Sequence, residues 1–141
     1  FLKKNILATA NHSFKVVEFR TRGKGVVTLD TIFPGHIVGL YLSKDLEPIV
    51  EGRVLYDGWI ESNPIGRYVN HNNSPNCNVS LDGNNISLVS NNVIDYNEEI
   101  TVNYLEVAEL INLPKDQYTK YGIEDFKYIP VQNVSIKPTL F

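Results

Sequence analysis

The sequence is poor in cysteine, since Cys77 is the only cysteine among 141 residues. A single cysteine excludes an internal disulfide and a zinc site built from a cysteine cluster. The histidines His12, His36 and His71 lie in unrelated stretches and offer no local ligand spacing. We therefore predict that the chain holds no metal ion.

Long apolar runs and an excess of basic residues are also missing. No apolar run reaches the ~18 residues that a membrane-spanning helix needs, and no signal-peptide-like run follows the first four residues. The net charge of −3 gives no general basic character, so we predict no direct binding of nucleic acid and no membrane partner. The 43% hydrophobic and 21% charged residues are ordinary for a globular chain. The length predicts a single domain over 1–141.

The most informative stretch is 66–77, which reads Gly-Arg-Tyr-Val-Asn-His-Asn-Asn-Ser-Pro-Asn-Cys. It gathers amide and imidazole groups beside one arginine and one tyrosine, and so offers many hydrogen-bond donors and acceptors. That composition suits a polar ligand held by a loop. A plain surface turn closed by Ser-Pro-Asn explains it equally well, so the residues alone leave both interpretations open.

Three motifs in a fixed order resemble those of SET-domain protein lysine methyltransferases. Arg-Tyr-Val-Asn-His followed by Pro-Asn-Cys resembles the family's Arg-Phe-Ile-Asn-His-Ser-Cys-x-Pro-Asn. Asn-Glu-Glu-Ile-Thr-Val-Asn-Tyr at 97–104 resembles Gly-Glu-Glu-Leu-Thr-Phe-Asp-Tyr. Gly-Lys-Gly-Val at 23–26 and Ile-Phe-Pro-Gly at 32–35 resemble the family's Gly-x-Gly and Ile-x-x-Gly. We predict a SET core over 15–105, followed by an aromatic-rich segment over 106–141.

The pattern of residues predicts a mainly β fold. Runs of β-branched and aromatic residues predict strands at 14–19, 26–29, 36–42, 53–56 and 99–103, with a turn over 20–25. The stretch 105–113, which Pro114 ends, is the best helix candidate. The resemblance implies a SET fold of several small sheets with one or two short helices. It also implies a threaded loop that sets the two signature motifs side by side.

A hairpin is predicted where Asp82 and Gly83 separate two strand-like runs at 78–81 and 86–90. We expect both Asp82 and Gly83 to take positive φ, as in a tight two-residue turn. Asp57 is interpreted as a turn residue before Gly58, and Trp59 as a core or rim residue.

The resemblance implies methylation of a protein lysine with S-adenosylmethionine as cofactor and S-adenosylhomocysteine as product. A free lysine has a pKa near ~10.4, so exposing its neutral amine at pH 7 costs about 4.6 kcal/mol. A narrow apolar channel lowers that pKa because burial disfavours the ammonium. Tyrosine hydroxyls and backbone carbonyls can hold the methyl group through weak C–H···O contacts. Such a site requires no metal.

Specific residues follow from the same resemblance. Tyr104 matches the tyrosine beside the transferred methyl group and is the predicted catalytic residue. Gly25 suits a cofactor site because a Cβ would obstruct close approach, and Arg67 is expected to pair with Glu98 or Glu99. The predicted cofactor-binding set, partly through backbone groups, is Lys24, Gly25, Val26, Arg67, Tyr68, Asn70 and His71. Candidate walls of the substrate channel are Tyr41, Tyr56, Tyr118 and Tyr121. Core packing explains the tyrosine-rich tail that contains Tyr118 and Tyr121 equally well.

Three departures from the family pattern keep a second hypothesis open. Asn72 replaces the usual serine, Asn97 the usual glycine and Asn103 the usual aspartate. The first hypothesis is a lysine methyltransferase acting on a histone tail in chromatin, intracellular and nuclear if histone is the substrate. The alternative is a catalytically degenerate SET-like module that binds a basic peptide. A homodimer that completes the site is a further expectation.

Overall fold

The computed structural model describes residues 12–20, 23–47, 53–121 and 123. Within these ranges the chain forms nine short strands in three small sheets, two short α-helices and two 3-10 helices. The predicted mainly β class is therefore confirmed. No helix in the described ranges has both the length and the hydrophobicity needed to cross a membrane.

Two of the sheets are paired strands. The first pairs β1 (Phe14–Phe19) with β2 (Gly23–Thr28) in antiparallel register. The second pairs the two-residue strands β6 (Asn70–His71) and β9 (Thr101–Val102) in parallel register. Because β6 and β9 belong to the two signature motifs, the expected side-by-side placement of these motifs is confirmed.

The third sheet has five strands in the order β4-β5-β3-β8-β7. Its members are β3 (Ile37–Ser43), β4 (Val54–Tyr56), β5 (Trp59–Glu61), β7 (Cys77–Asp82) and β8 (Asn85–Ser90). The helices are α1 (Ile65–Tyr68) and α2 (Tyr104–Leu110), followed by 3-10 helices at Lys115–Gln117 and Thr119–Tyr121.

The apolar core lies between the large sheet, the β6–β9 pair and α2. The side chains of Val26, Ile86, Leu88, Ile100 and Val102 are fully buried there. Burial on this scale is the dominant stabilising term of a small domain. It also holds the strands that carry both signature motifs against one another.

Several predicted boundaries need correction. Strand β2 already begins at Gly23, because this glycine at φ 82° still pairs with Phe19. Strand β5 was not predicted, since three residues directly after a turn are too short for a periodic signal. The strand predicted at 99–103 shrinks to Thr101–Val102, and the helix runs over Tyr104–Leu110.

The β7–β8 hairpin forms as predicted, but its turn has a different geometry. Asp82 pairs with Asn85, so Gly83 and Asn84 form a two-residue loop. Only Gly83 of the predicted pair has positive φ, at 63°. Glycine at the first loop position is typical of a type II′ turn. Asp57 and Gly58 form the turn between β4 and β5. Their φ values are 54° and 82°, which agrees with the prediction of a turn at this position.

Candidate active site

The two signature motifs meet in what we call the motif crossing, formed by β6, β9 and Asn76. Asn70 lies opposite Thr101 and His71 opposite Val102. The Asn72 amide continues the ladder by donating to the Val102 carbonyl at 3.0 Å. Residues far apart in sequence are thereby held by backbone hydrogen bonds, whose geometry does not depend on side-chain rotamers.

Asn76 ties the crossing together with its side chain. Its Oδ1 accepts from the Thr101 amide at 2.9 Å, and its Nδ2 donates to the Glu99 carbonyl at 2.9 Å. Its own amide donates to the Thr101 hydroxyl at 3.2 Å. One side chain thus satisfies backbone groups that no strand partner reaches, which explains an asparagine at this position.

Asn70 joins the crossing to β2. Its Nδ2 donates to the Lys24 carbonyl at 2.9 Å and to Glu99 Oε2 at 2.8 Å. Gly25 packs so closely that a Cβ there would lie 2.6 Å from Glu99 Oε2 and 2.8 Å from Asn70 Nδ2. Three predicted cofactor residues, Lys24, Gly25 and Asn70, therefore lie together. The close approach that requires glycine is, within the protein, an approach to Glu99 and Asn70.

His71 has a defined tautomer in this structure. Its Nδ1 accepts from the Tyr104 amide at 3.0 Å, while Nε2 lies 2.8 Å from Asn73 Oδ1. Because Nδ1 is an acceptor, the proton must be on Nε2 and the ring is neutral. Burial lowers the pKa of His71, and the bond to Asn73 opposes that effect in part. The ring therefore acts as a brace for Tyr104.

Tyr104 is the first residue of α2. The Asn103 side chain caps this helix by accepting from the Leu105 amide at 2.9 Å. The Tyr104 hydroxyl donates to the Val69 carbonyl at 2.8 Å, across 35 residues of sequence. Burial raises the pKa of Tyr104 to about 12, and the Glu61 and Glu99 charges add to the rise. Its hydroxyl is therefore protonated and serves as a donor at neutral pH.

Tyr104 lies at the wall of a cavity of about 250 Å³. Polar and charged walls come from Tyr41, Arg53, Glu61, Arg67, Lys120 and Tyr121, and the apolar walls include Leu55, Val107, Ala108, Ile111 and Leu113. We call this space the Tyr104 cavity. It combines a protonated tyrosine, aliphatic surface and charges of both signs, the mixture found in small-molecule sites.

The predicted channel tyrosines divide into two pairs. Tyr41 and Tyr121 line the Tyr104 cavity, and the Tyr121 hydroxyl donates to the Leu55 carbonyl at 2.6 Å. Tyr118 is a buried core residue, and Tyr56 packs at the edge of the core. Neither is among the residues that line the cavity. All four tyrosines belong to the core or pack against it, so only the lining of the cavity distinguishes Tyr41 and Tyr121 from the other two.

Arg53 and Glu61 are among the cavity residues that were not anticipated from the sequence. Arg53 donates to Glu61 through Nε at 2.9 Å and through Nη2 at 3.0 Å, forming a bidentate ion pair. The Glu61 side chain is only 8% exposed, whereas that of Arg53 is 65% exposed. A glutamate that ends the apolar strand Trp-Ile-Glu was the available signal, because a carboxylate in a buried strand requires a partner.

The placement of Arg67 and Val26 differs from expectation. Among the described residues, no ion pair joins Arg67 to Glu98 or Glu99. Its guanidinium lies 5.7 Å from the centre of the Tyr68 ring, which Lys24 Nζ also approaches at 5.6 Å. The Glu98 carboxylate instead accepts from the Asp95 amide. Val26 is fully buried, and its carbonyl accepts from the Ile100 amide, so its side chain faces the core.

Comparison with known families identifies the family to which the chain belongs. The family model described as SET domain matches residues 23–105, which is more than half of the chain. The chain belongs to the SET-domain family. The resemblance identified from three sequence motifs is thereby confirmed. A search of curated protein sequences finds no significant match.

Solved structures agree on the SET fold. A Plasmodium falciparum protein, described as a candidate histone methyltransferase, shares 21% identity at a TM-score of 0.51, with 67% of this chain and 95% of that chain covered. A chain of the Chaetomium thermophilum Polycomb Repressive Complex 2 shares 20% identity at a TM-score of 0.51, covering 73% of this chain. This SET domain spans only 18% of that chain, and 15% of the chain from an apo, mutated form of the complex.

The three departures from the SET motifs are accommodated locally. Asn72 Oδ1 accepts from the Ser74 amide at 2.8 Å and closes a turn. Asn97 takes φ 70°, the left-handed region that the usual glycine would occupy and that asparagine tolerates. Asn103 caps α2, a role that aspartate fills equally well. None of these substitutions leaves the crossing or the Tyr104 hydroxyl without its hydrogen bonds.

Proposed function

We propose that this SET domain is an S-adenosylmethionine-dependent protein-lysine N-methyltransferase. The observation that carries the proposal is the hydrogen bond from the Tyr104 hydroxyl to the Val69 carbonyl, made by a tyrosine that lines a partly apolar cavity. These two oxygens are the kind of groups that hold a methyl group by weak C–H···O contacts. Both are fixed by backbone structure, since Tyr104 begins α2 and Val69 ends α1.

The residues present fit the cofactor by their chemistry. Exposed cations at the cavity, Arg53, Arg67 and Lys120, suit its carboxylate, while Glu61 suits its positive groups. A volume of about 250 Å³ lies just below the ~300 Å³ at which drug-sized sites begin. The cavity therefore fits the amino-acid end of the cofactor rather than the whole molecule. Lys24, Gly25, Tyr68, Asn70 and His71 remain proposed contacts, and Val26 remains one through its backbone.

When bound, the cofactor supplies an electrophilic methyl group on a sulfonium. The protein's part is to exclude water and to align the acceptor amine. Val107, Ala108, Ile111 and Leu113 give the cavity an aliphatic side, which lowers the pKa of a lysine placed against it. The Tyr104 hydroxyl is protonated and already bonded to Val69, so it orients groups and takes up no proton.

We propose a histone tail as the substrate. Support comes from the family resemblance and from similar folds described as a candidate histone methyltransferase and as a Polycomb complex. A homodimer is also proposed, and sedimentation velocity at assay concentration tests it: a monomer there contradicts it.

Methyl transfer from labelled S-adenosylmethionine to core histones tests the enzyme directly. We expect transfer by the wild type and a loss of about 100-fold or more in Tyr104→Phe, in line with removal of one hydroxyl that acts at the reacting centre. Tyr96→Phe is the matched control, because Tyr96 is 65% exposed and does not line the cavity. Its activity should equal that of the wild type.

Two results would contradict the proposal. A fully active Tyr104→Phe would remove Tyr104 from the reaction. A folded wild-type protein that binds histone peptides without any methyl transfer would favour the degenerate binding module.

A further inference from the structure

We propose that Glu61 sets the charge preference of the Tyr104 cavity, so that it favours the cationic cofactor over its neutral product. This inference rests on the proposed function. It adds a specificity-determining residue that lies outside the three SET motifs. The starting observation is a buried carboxylate, that of Glu61, in the cavity that Tyr104 also lines.

The two partners of the Arg53–Glu61 ion pair differ greatly in solvent exposure. Glu61 ends β5, with its side chain only 8% exposed, and both carboxylate oxygens accept from the Arg53 fork. A bidentate pair of this kind requires an ionised carboxylate. The Arg53 side chain is 65% exposed, so water and salt screen its charge far more than that of Glu61.

The Glu61 carboxylate is therefore the least screened of the charges that line the cavity. The Glu61 charge contributes to raising the pKa of both Tyr104 and Tyr41, after burial as the largest cause for each. At Tyr104 the Arg53 charge acts in the opposite direction and is the smallest of the four causes, while Glu99 reinforces Glu61. The other two cations, Arg67 and Lys120, are exposed to solvent.

The two forms of the cofactor differ by one charge near the reacting centre. S-adenosylmethionine carries a sulfonium, whereas S-adenosylhomocysteine carries a neutral thioether in its place. A buried unit charge in the same cavity changes the affinity for a cation on the order of tenfold after partial screening. Glu61 should raise the affinity for the substrate form and leave the product form nearly unaffected, which favours fresh cofactor over product at equilibrium.

Calorimetric titration of both ligands into the wild type and Glu61→Gln tests this inference. We expect the ratio of the Kd for S-adenosylhomocysteine to the Kd for S-adenosylmethionine to fall about tenfold in Glu61→Gln. Arg53→Lys is the matched control, because it alters the same ion pair and keeps the charge, so its ratio should stay within about twofold of the wild-type ratio. Differences between the ligands other than charge cancel in these comparisons.

A second measurement covers the case in which Glu61→Gln fails to fold. An aza analogue of the cofactor, with a protonated amine in place of the sulfonium, should bind the wild type more tightly than S-adenosylhomocysteine. Equal affinities for those two ligands would overturn the inference, as would an equal loss for both natural ligands in Glu61→Gln, which indicates a purely structural role. A folded wild type that binds none of the three ligands would overturn the proposed function itself.

Discussion

The motif crossing and the Tyr104 cavity are adjacent, yet they are built in opposite ways. The crossing consists of short strands and asparagine side chains that satisfy one another's backbone groups, as in the bonds from Asn76 to Glu99 and Thr101. The cavity is lined by residues of β3, β4, β5, α1 and α2, by Arg53 before β4 and by residues after α2, with charges of both signs.

This difference separates residues that stabilise the fold from residues available to bind a ligand. Most motif residues hold the scaffold: Asn70 bridges Lys24 and Glu99, and His71 accepts from the Tyr104 amide. Tyr104 belongs to both regions, because its amide donates to His71 in the crossing and the residue also lines the cavity. Substitutions in the crossing should therefore affect stability first, and substitutions in the cavity should affect binding and turnover while leaving the fold intact.

The largest effect on stability is expected for Asn76→Ala. The substitution removes the side-chain bonds to Glu99 and Thr101 and leaves backbone groups unpaired, which should cost about 2–3 kcal/mol of unfolding free energy. Urea denaturation measures this loss. Asn92→Ala is the control, since that exposed side chain makes a single 3.4 Å contact to Asn91 and should change stability by less than about 0.5 kcal/mol. Similar stabilities for the two variants would contradict the claim that the crossing stabilises the fold.

Acid should weaken the crossing through His71. The folded state favours the neutral ring, so its pKa lies below the ordinary value. Below a pH of about 6.5 the unfolded chain binds more protons, and stability therefore falls as the pH decreases. Between pH 7 and 5, His71→Gln should show a shallower decline in unfolding free energy than the wild type. Carboxylates contribute equally to both proteins, so parallel curves would contradict this role.

A smaller effect is expected at the start of α2. Asn103→Ala removes the cap on the Leu105 amide and should cost about 1 kcal/mol. Asn103→Asp restores the residue usual in the family and should stay within about 0.5 kcal/mol of the wild type, because both side chains cap helices well. Thermal denaturation of the three proteins decides the matter. A large gain in stability or turnover with aspartate would instead mark Asn103 as a defect of this chain.

The sequence predicted the scaffold better than the cavity. The motifs correctly predicted that Asn70, His71 and Tyr104 lie near one another. The runs of strand-forming residues predicted the bounds of β1, β3, β7 and β8 to within one residue. Arg53 and Glu61 were missed because their contact depends on the β4–β5 hairpin, where Val54 pairs with Ile60 across an irregular register. Three-residue strands give no periodic signal from which such a contact can be derived.

Two other differences have local causes. The helix begins at Tyr104 rather than after it, because the Asn103 side chain can cap only a helix that starts there. Arg67 was expected to pair with Glu98 or Glu99, but its guanidinium lies near the Tyr68 ring, and the Glu99 carboxylate accepts from Asn70. Both outcomes depend on competition between neighbouring polar groups, which a motif match does not resolve.

Calorimetric titration of S-adenosylmethionine into the wild type and Arg67→Ala tests the central claim most directly. Arg67 is exposed and lines the Tyr104 cavity, so its removal should leave the fold unchanged. We predict saturable one-to-one binding by the wild type and a Kd about tenfold higher in Arg67→Ala, as expected when one hydrogen-bonded charge is lost. Absence of binding by the folded wild type, or equal affinity in the two proteins, would contradict the claim that this cavity holds the cofactor.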